Sequence, residues 1–161
     1  MGDPVTINPR IIEALYCEAL LLSDDVRGAF TLTGRIESCG SGETRERDDL
    51  ARVALSSEGL RTTTRMMHAV AWLLNHRAYF SGELSEFQLM RHGRLSRDMR
   101  RSDPTEFEIL PADIRTLVIA TERFYERLLR LDRDWRQRDP AAPGAIAALR
   151  ARLERRVVGS R

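Results

Sequence analysis

The stretch from Leu50 to Phe80 constrains the fold most strongly, because it keeps a helical period throughout and contains no proline. Its apolar and small residues recur at alternating steps of three and four, which places them on one face of a helix. These seam residues are Leu50, Val53, Ser57, Leu60, Thr64, Met67, Ala71, Leu74 and Ala78. A face this broad needs partner helices to cover it, so the pattern predicts that the seam forms the core. On that prediction Leu74→Asp unfolds the domain, because it buries an unpaired charge.

The same period places Glu58, Arg61 and Arg65 on the polar face of this helix. Glu58 and Arg61 are spaced to form an ion pair along the helix surface. Three threonines, Thr62–Thr64, lie between the two arginines, and such a run of β-branched residues indicates close packing with locally satisfied hydroxyls. One interpretation is a half-buried packing layer with its own ion pairs. The functional alternative is a stripe that binds a partner.

Helical patterns fill most of the remaining chain, and no strand pattern is present. The predicted helices run from Pro9 to between Phe30 and Thr33, from Arg45 or Asp48 to Phe80, from Glu86 to about Gly93, from Pro111 to Asp139 and from Ala145 to Val158. The third long helix has an apolar seam formed by Ile114, Leu117, Thr121, Phe124, Leu128, Leu131 and Trp135. We therefore predict an all-α fold, an antiparallel three-helix bundle with a short extra helix and a C-terminal tail helix. Residues 1–139 form the bundle domain, and residues 140–161 form a mobile tail, because a short isolated helix is marginal in water.

Charge is unevenly distributed, although the formal net charge is only +2. All 26 residues counted as Lys or Arg are arginine. Five of them fall between Met90 and Arg101 against a single aspartate, namely Arg91, Arg94, Arg97, Arg100 and Arg101. Five more fall between Ala145 and Arg161 against a single glutamate. Two basic segments on an acidic body predict contact surfaces for an acidic partner.

The segment Arg91–Arg101 is also the best case for binding nucleic acid, because its arginines can contact phosphates. It has no interleaved aromatic residues on which bases would stack, and no helix-turn-helix pattern surrounds it. A solvated run of charge is the simpler interpretation. A nucleic-acid-associated helical protein that uses Arg91–Arg101 is therefore the second hypothesis for function.

Patterns for catalysis or metal binding are weak. His68 and His76 are eight residues apart, which does not give the i,i+4 geometry of a two-histidine metal face. We expect them and His92 to be surface or rim histidines, with no metal and no cofactor. Neither Cys17 nor Cys39 has a histidine nearby in the sequence. We predict that the protein is not an enzyme, and an enzyme that uses a buried His68 is the third hypothesis.

No stretch predicts a membrane span or an export signal. The apolar run Ala19–Leu22 is far shorter than a bilayer requires. Residues Met1–Arg10 lack the apolar centre of a signal peptide. Two cysteines in a chain of this size do not form the framework of a secreted scaffold, although a disulfide between them is not excluded. The sequence therefore predicts a cytoplasmic protein.

The order of residues in Ser57–Ala78, followed by Gly82-Glu83, is distinctive. It consists of a glutamate, an Arg–Thr–Arg run, apolar residues, a Trp-Leu-Leu triplet, a short polar group with arginine, and Gly-Glu. This order resembles that of the alphaproteobacterial DUF1465 family. Ala71, Gly59 and His76 depart from the family pattern, which has Ser, Ser and Gln in their places.

The resemblance implies a helical, dimeric adaptor rather than an enzyme. Family members of this kind help the ClpXP protease receive cell-cycle or developmental regulators, and a mobile C-terminal segment takes part in docking. By that analogy the partners are a protease adaptor or response-regulator-like protein, a protein cargo and a second copy of the chain. The candidate partner-binding residues are Arg61, Arg65, Arg91, Arg94, Arg97, Arg100, Arg101, Ile146, Leu149, Arg150 and Leu153.

Overall fold

The computed structural model describes residues 7–33, 42–99 and 101–137. Within these ranges the chain forms helices α1 (Pro9–Thr33), α2 (Gly42–Phe80), α3 (Glu86–His92), α4 (Pro104–Ile109) and α5 (Ala112–Arg136), with a turn of 3-10 helix at Arg97–Met99. No strand occurs in these ranges, and the predicted all-α class is confirmed. None of the described helices is long and apolar enough to cross a membrane. The predicted tail helix and Cys39 lie outside the described residues.

Local signals set the start of α1, the end of α2 and the start of α3 where the sequence predicts them, whereas α2 begins at Gly42, before the predicted Arg45 or Asp48. The side chain of Asn8 accepts a hydrogen bond of 3.0 Å from a backbone N–H in the first turn of α1. Gly82 has a φ of 82°, a conformation that glycine adopts without strain, and α2 ends just before it. Ser85 and Gln88 form a reciprocal capping box at the start of α3.

Helix α4 lies between the predicted helices that end near Gly93 and begin at Pro111, where the sequence predicts no helix. The side chain of Asp103 accepts a hydrogen bond of 2.9 Å from the backbone N–H of Thr105. Hydrogen bonds from the backbone N–H groups of Thr105 and Glu106 lower the pKa of Asp103. Pro104 occupies the first helical position, where its missing N–H costs nothing. The Asp-Pro pair therefore begins a helix here.

Helices α1 and α2 run antiparallel. Near the start of α1, Glu13 forms an ion pair with Arg77 from the last turn of α2, with an N–O distance of 2.7 Å. Near the other end of α1, Phe30 packs on Gly59. A Cβ atom at position 59 would lie 2.9 Å from Phe30 Cδ1, so glycine permits this close approach.

Helices α2 and α5 run in the same direction, because their contact partners advance together along both helices. Arg65 meets Thr121, and Trp72, further along α2, meets Asp132, further along α5. Residues 81–111 therefore cross back along the bundle before α5 begins. The predicted antiparallel arrangement holds for α1 with α2, whereas this crossover makes α2 and α5 parallel.

The core lies between these three helices and is closed at one side by the crossover. The buried apolar residues of the main cluster are Ile7, Ile12, Leu15, Ala19, Val26, Met66, Ala69, Trp72, Leu73, Leu95, Phe124, Tyr125, Leu128 and Leu131. A smaller cluster joins Ala54, Leu110, Ile114 and Val118. The predicted seam of α5 faces this core, with only Leu117 and Trp135 half-buried.

The predicted seam of α2 is wrong, because it faces solvent. Leu60 is 72% exposed, Met67 is 65% exposed and Leu74 is 43% exposed. We call the residues Leu50, Val53, Leu60, Met67 and Leu74 the apolar stripe. The buried face lies on the opposite side of α2 and comprises Ala54, Glu58, Thr62, Arg65, Met66, Ala69, Trp72, Leu73 and His76. Hydropathy points to the wrong face because several buried positions carry polar or charged side chains.

Candidate functional site

Glu58 and Arg65 form an ion pair inside the bundle. Both side chains are fully buried, and Arg65 Nη2 lies 3.8 Å from Glu58 Oε1. Their predicted place on an exposed polar face is therefore wrong. The hydroxyls of Thr62 and Ser102 donate hydrogen bonds of 2.8 and 2.7 Å to Glu58 Oε1. These bonds replace the water that a buried carboxylate loses.

Arg65 also ties α2 to the crossover and to α5. Its Nε donates to the backbone carbonyl of Met99 at 2.7 Å, and its Nη1 donates to Thr121 Oγ1 at 2.9 Å. Its Nη2 lies 3.6 Å from Glu122 Oε1. Burial lowers the pKa of Arg65, while Glu122 and then Glu58 oppose that shift. Arginine stays charged in proteins, so a buried positive charge holds three parts of the chain together.

Arg61 lies at the edge of this buried cluster and links it to α4. Its guanidinium is 3.8 Å from Glu58 Oε2 and 3.8 Å from Glu106 Oε2. Ser57 donates a hydrogen bond of 2.9 Å to the same oxygen of Glu106. Glu58 Oε2 has no hydrogen-bond partner among the described residues, so Arg61 balances its charge from the rim.

The last turns of α2 contact α5 through Trp72. Its Nε1 donates to Asp132 Oδ1 at 3.0 Å, and the same carboxylate accepts from Arg136 Nε at 3.0 Å. Arg136 Nη1 also donates to the carbonyl of Met90 at 2.9 Å. This chain of polar contacts joins α2, α5 and α3.

His76 is buried beside Trp72, so the expectation of a surface or rim histidine is wrong for His76, whereas His68 is exposed. The Nδ1 atom of His76 lies 2.9 Å from the carbonyl oxygen of Trp72. It carries the proton, since a carbonyl oxygen only accepts a hydrogen bond. Its Nε2 has no hydrogen-bond partner among the described residues. Burial lowers the pKa of His76, against the opposing effects of the Trp72 carbonyl and Asp132. The centroid of the His76 ring lies 3.8 Å from the ring centroid of Trp72 and 5.7 Å from that of Trp135.

Tyr125 of α5 fixes the middle of the crossover. Its hydroxyl donates a hydrogen bond of 2.8 Å to the carbonyl of Ser96. Burial raises the pKa of Tyr125 to about 12. The neighbouring Leu95 is buried in the main core, so this part of the crossover is held by both a polar and an apolar contact.

A cleft of about 470 Å³ lies between residues 94–97 and the C-terminal half of α5. We call it the basic cleft, because its lining includes Arg94, Arg97, Arg130, Arg133 and Arg136. Arg94 and Arg97 are among the residues predicted from the sequence, whereas Arg130, Arg133 and Arg136 are not. Their recurrence at every third residue on one side of α5 is the signal that could have found them.

An apolar groove of about 770 Å³ lies between α1 and α2. Its lining includes Leu20 and Phe30 from α1 and Val70 from α2. Met67 and Leu74 line the groove and also belong to the apolar stripe. The groove and the stripe therefore form one continuous apolar surface.

Within the described ranges, no group of three or more His, Cys, Asp or Glu side chains is placed to hold a metal ion. His68 and His92 nevertheless line one small pocket of about 180 Å³, together with Asn75 and Arg94. The crossover brings these two histidines together, which their sequence spacing could not indicate. Cys17 is an exposed free thiol.

A family model described as "Protein of unknown function (DUF1465)" matches residues 4–157. The chain belongs to the DUF1465 family. Comparisons with curated proteins and with solved structures gave no match. In this DUF1465 chain the residues that carry the resemblance include Glu58, Arg65 and Trp72, all of which are buried. The stretch that identifies the family thus holds the fold together.

The structure does not gather the predicted partner-binding residues of the DUF1465 chain in one place. Arg65 is buried and Arg61 is half-buried beside α4. Arg91 and Arg101 are exposed, and Arg101 lies 3.9 Å from Glu126. Arg94 and Arg97 line the basic cleft. The residues outside the described ranges, whose roles stay predictions, are Arg100, Ile146, Leu149, Arg150 and Leu153.

Proposed function

We propose that this chain is a non-enzymatic adaptor that helps deliver cell-cycle or developmental regulators to the ClpXP protease in the cytoplasm. Residues 57–78 resemble the corresponding stretch of RcdA, the regulator of CtrA degradation, which is a DUF1465 member. The observation in this chain that supports an interaction protein is the exposed apolar stripe. The partners proposed are a protease adaptor or response-regulator-like protein, a protein cargo and a second copy of the chain.

The apolar stripe has the properties of an interface rather than of scattered surface residues. Leu50, Val53, Leu60 and Met67 are each more than 60% exposed and follow one line along α2. Contiguous apolar surface of this kind marks interaction sites, whereas single exposed apolar residues need no explanation. The opposite face of α2 is fixed by the buried ion pair and by Trp72, so the stripe is presented on a rigid helix.

A second copy of the chain suits this stripe best. Val53, Leu60, Met67 and Leu74 recur at intervals of seven, the spacing at which two helices pack side by side in a coiled coil. A stripe that pairs with its own copy forms a two-fold dimer interface. The charged surfaces on the other side of the bundle then remain available to adaptor and cargo.

Dimerisation is tested by light scattering at micromolar concentration. The chain has a mass of 18.4 kDa, and we expect twice that mass in solution. The double variant Leu60→Glu/Met67→Glu should be monomeric and folded. Phe87→Glu is the matched control, since Phe87 on α3 is 73% exposed and lies outside the stripe. A monomeric wild-type chain would contradict the dimer.

The adaptor role is tested by a pulldown from the native cytosol. We expect the full chain to recover the ClpX unfoldase or a response-regulator-like adaptor, both identified by mass spectrometry. A chain that ends at Asp139 tests the tail, and loss of recovery would place docking beyond that residue. Recovery of nucleic acid without the protease would instead favour the second hypothesis, a nucleic-acid-associated protein that uses Arg91–Arg101.

A further inference from the structure

The basic cleft has an excess of positive charge that the carboxylates of the described residues do not neutralise. Arg94, Arg97 and Arg130 are exposed and form no ion pair with a described carboxylate. In the described part of the chain, Arg133 forms an ion pair only with the adjacent Asp134, with an N–O distance of 3.8 Å. Repulsion among these guanidinium groups is relieved when an anion enters.

The two carboxylates of the cleft do not cancel this charge. Asp132 is already bound by Trp72 and Arg136, and its side chain is only 8% exposed. Glu126 Oε1 lies 3.9 Å from Arg101 Nε, and Arg101 is not part of the cleft lining. Both acids therefore interact with other groups, and the exposed Arg94, Arg97 and Arg130 are available to a ligand.

The walls of the cleft are fixed before any ligand arrives. Tyr125 donates a hydrogen bond to the carbonyl of Ser96, and Arg65 donates one to that of Met99. These two bonds fix residues 94–99 of the crossover against the bundle. Arg136 is anchored at the other end by the carbonyl of Met90. A site built in advance avoids the entropy cost of ordering its walls on binding.

The chemistry of the lining selects carboxylates flanking an apolar group. Guanidinium groups bind carboxylates through two parallel hydrogen bonds. Between the arginine walls, Leu95 and Leu129 supply an apolar floor. A volume of about 470 Å³ accommodates a few side chains. An extended acidic peptide with an apolar residue between its acids matches this arrangement.

Other occupants fit less well. None of the described lining residues is aromatic, so bases would find no stacking partner, and Glu126 and Asp132 interrupt the positive surface that a phosphate backbone follows. The C-terminal segment of the chain itself is basic, with five arginines against one glutamate in residues 145–161. Like charge would repel that segment from the cleft.

We propose that the basic cleft binds an acidic, extended segment of a partner protein, with carboxylates on the two arginine walls and an apolar side chain on the Leu95–Leu129 floor. This proposal rests on the interaction role proposed above and names the chemistry of one partner. The cleft lies on the side of α5, whereas the dimer stripe lies on α2, so one copy can use both surfaces.

Fluorescence anisotropy with the full chain tests the proposal. The probe is a short labelled peptide in which Glu and Asp alternate with Leu, and its control replaces each acid by the corresponding amide. We expect the acidic peptide to bind at least about tenfold more tightly than the amide peptide. The double variant Arg97→Glu/Arg130→Glu should lose about tenfold or more in affinity, while Arg10→Glu, an equal change per site at an exposed arginine of α1 outside the cleft, should bind like the wild type.

Circular dichroism should show the double variant folded, because neither arginine has a described partner to lose. Equal affinity of the wild type and the double variant for the acidic peptide overturns the proposal. A single-stranded oligonucleotide that binds at the cleft more tightly than the peptide also overturns it, in favour of nucleic acid. The pulldown separates the two proposals: recovery of the protease without peptide binding rejects only the cleft, and peptide binding without that recovery rejects only the delivery role.

Discussion

The guanidinium of Arg65 and the carboxylate of Glu58 meet at 3.8 Å in a place where neither side chain touches solvent. Each would be costly to bury alone. Together with Thr62, Thr121 and Ser102 they form a polar centre in a bundle whose surroundings are apolar. The stability of the domain depends on both charges being present or both absent.

Replacing Arg65 by Met should destabilise the domain by about 3–5 kcal/mol, because Glu58 is left buried without its counter-charge. Urea denaturation measures this as a lower midpoint with little change in slope. The double variant Glu58→Leu/Arg65→Met should recover part of the loss, since no unpaired charge remains. Arg61→Ala serves as the control and should cost less than about 1 kcal/mol, because its ion pairs are partly exposed. Equal losses for Arg65→Met and Arg61→Ala would contradict the buried pair.

Adjacent leucines on α2 should respond in opposite ways to the same substitution. Leu73→Asp should unfold the domain, since Leu73 is fully buried. Leu74→Asp should leave it folded, with a loss of about 1 kcal/mol or less, since Leu74 is 43% exposed. This replaces the expectation from the sequence that Leu74→Asp unfolds the protein. Circular dichroism and thermal melts compare the two variants, and an unfolded Leu74→Asp monomer would restore the original seam.

Stability should fall on acidification through a window set by His76. Burial lowers the pKa of His76 below its ordinary value of 6.5. Between the two values the unfolded chain binds the proton and the folded chain does not, so stability falls as the pH drops below 6.5 and is fully present above it. Urea midpoints measured from about pH 8 to about pH 5 should show this loss. The variant His76→Phe should have a flatter profile, and an unchanged slope would exclude His76 as its source.

Replacing Tyr125 by Phe should loosen the crossover. The carbonyl of Ser96 loses its donor, at a cost of about 1 kcal/mol, and hydrogen exchange at residues 94–97 should accelerate. The same tyrosine should ionise well above pH 10, since its folded pKa is raised from 10.0 to about 12. Its contribution to stability is therefore lost as the pH rises through that window. An ultraviolet titration of the wild type and of Tyr125→Phe would check this, and Tyr79→Phe provides a control at a half-buried tyrosine.

The sequence predicted α1, α2, α3 and α5 and several of their ends, because capping residues and glycine act locally, whereas α4 was missed. Ser85 with Gln88 and the left-handed Gly82 needed no tertiary information. The seam of α5 was also predicted correctly, since most of its buried residues are apolar, with Thr121 and Asp132 as the exceptions. In α2 the hydropathy pattern predicts the wrong face, because Glu58 and Arg65 are buried as a pair and the apolar stripe is exposed.

The basic cleft could be predicted only in part. Arg94 and Arg97 were visible as a dense basic run. Arg130 and its neighbours on α5 are interspersed with acidic residues, so their net charge is small in the sequence. Only the crossover, whose path is set by tertiary contacts of Arg65 and Tyr125, brings the two sets of arginines together.

The parallel arrangement of α2 and α5 also bears on the order in which the contacts between helices form during folding. Phe30 and Gly59, which join the consecutive helices α1 and α2, are closer together in sequence than Arg65 and Thr121, which meet only after residues 81–111 have turned back. Closing a longer segment costs more chain entropy, and contacts distant in sequence slow folding. We expect the α1–α2 hairpin to form early and the dehydration of Glu58 and Arg65 to come last. The final barrier would then be electrostatic in origin, and charge-free variants at these two positions should fold faster than the natural chain.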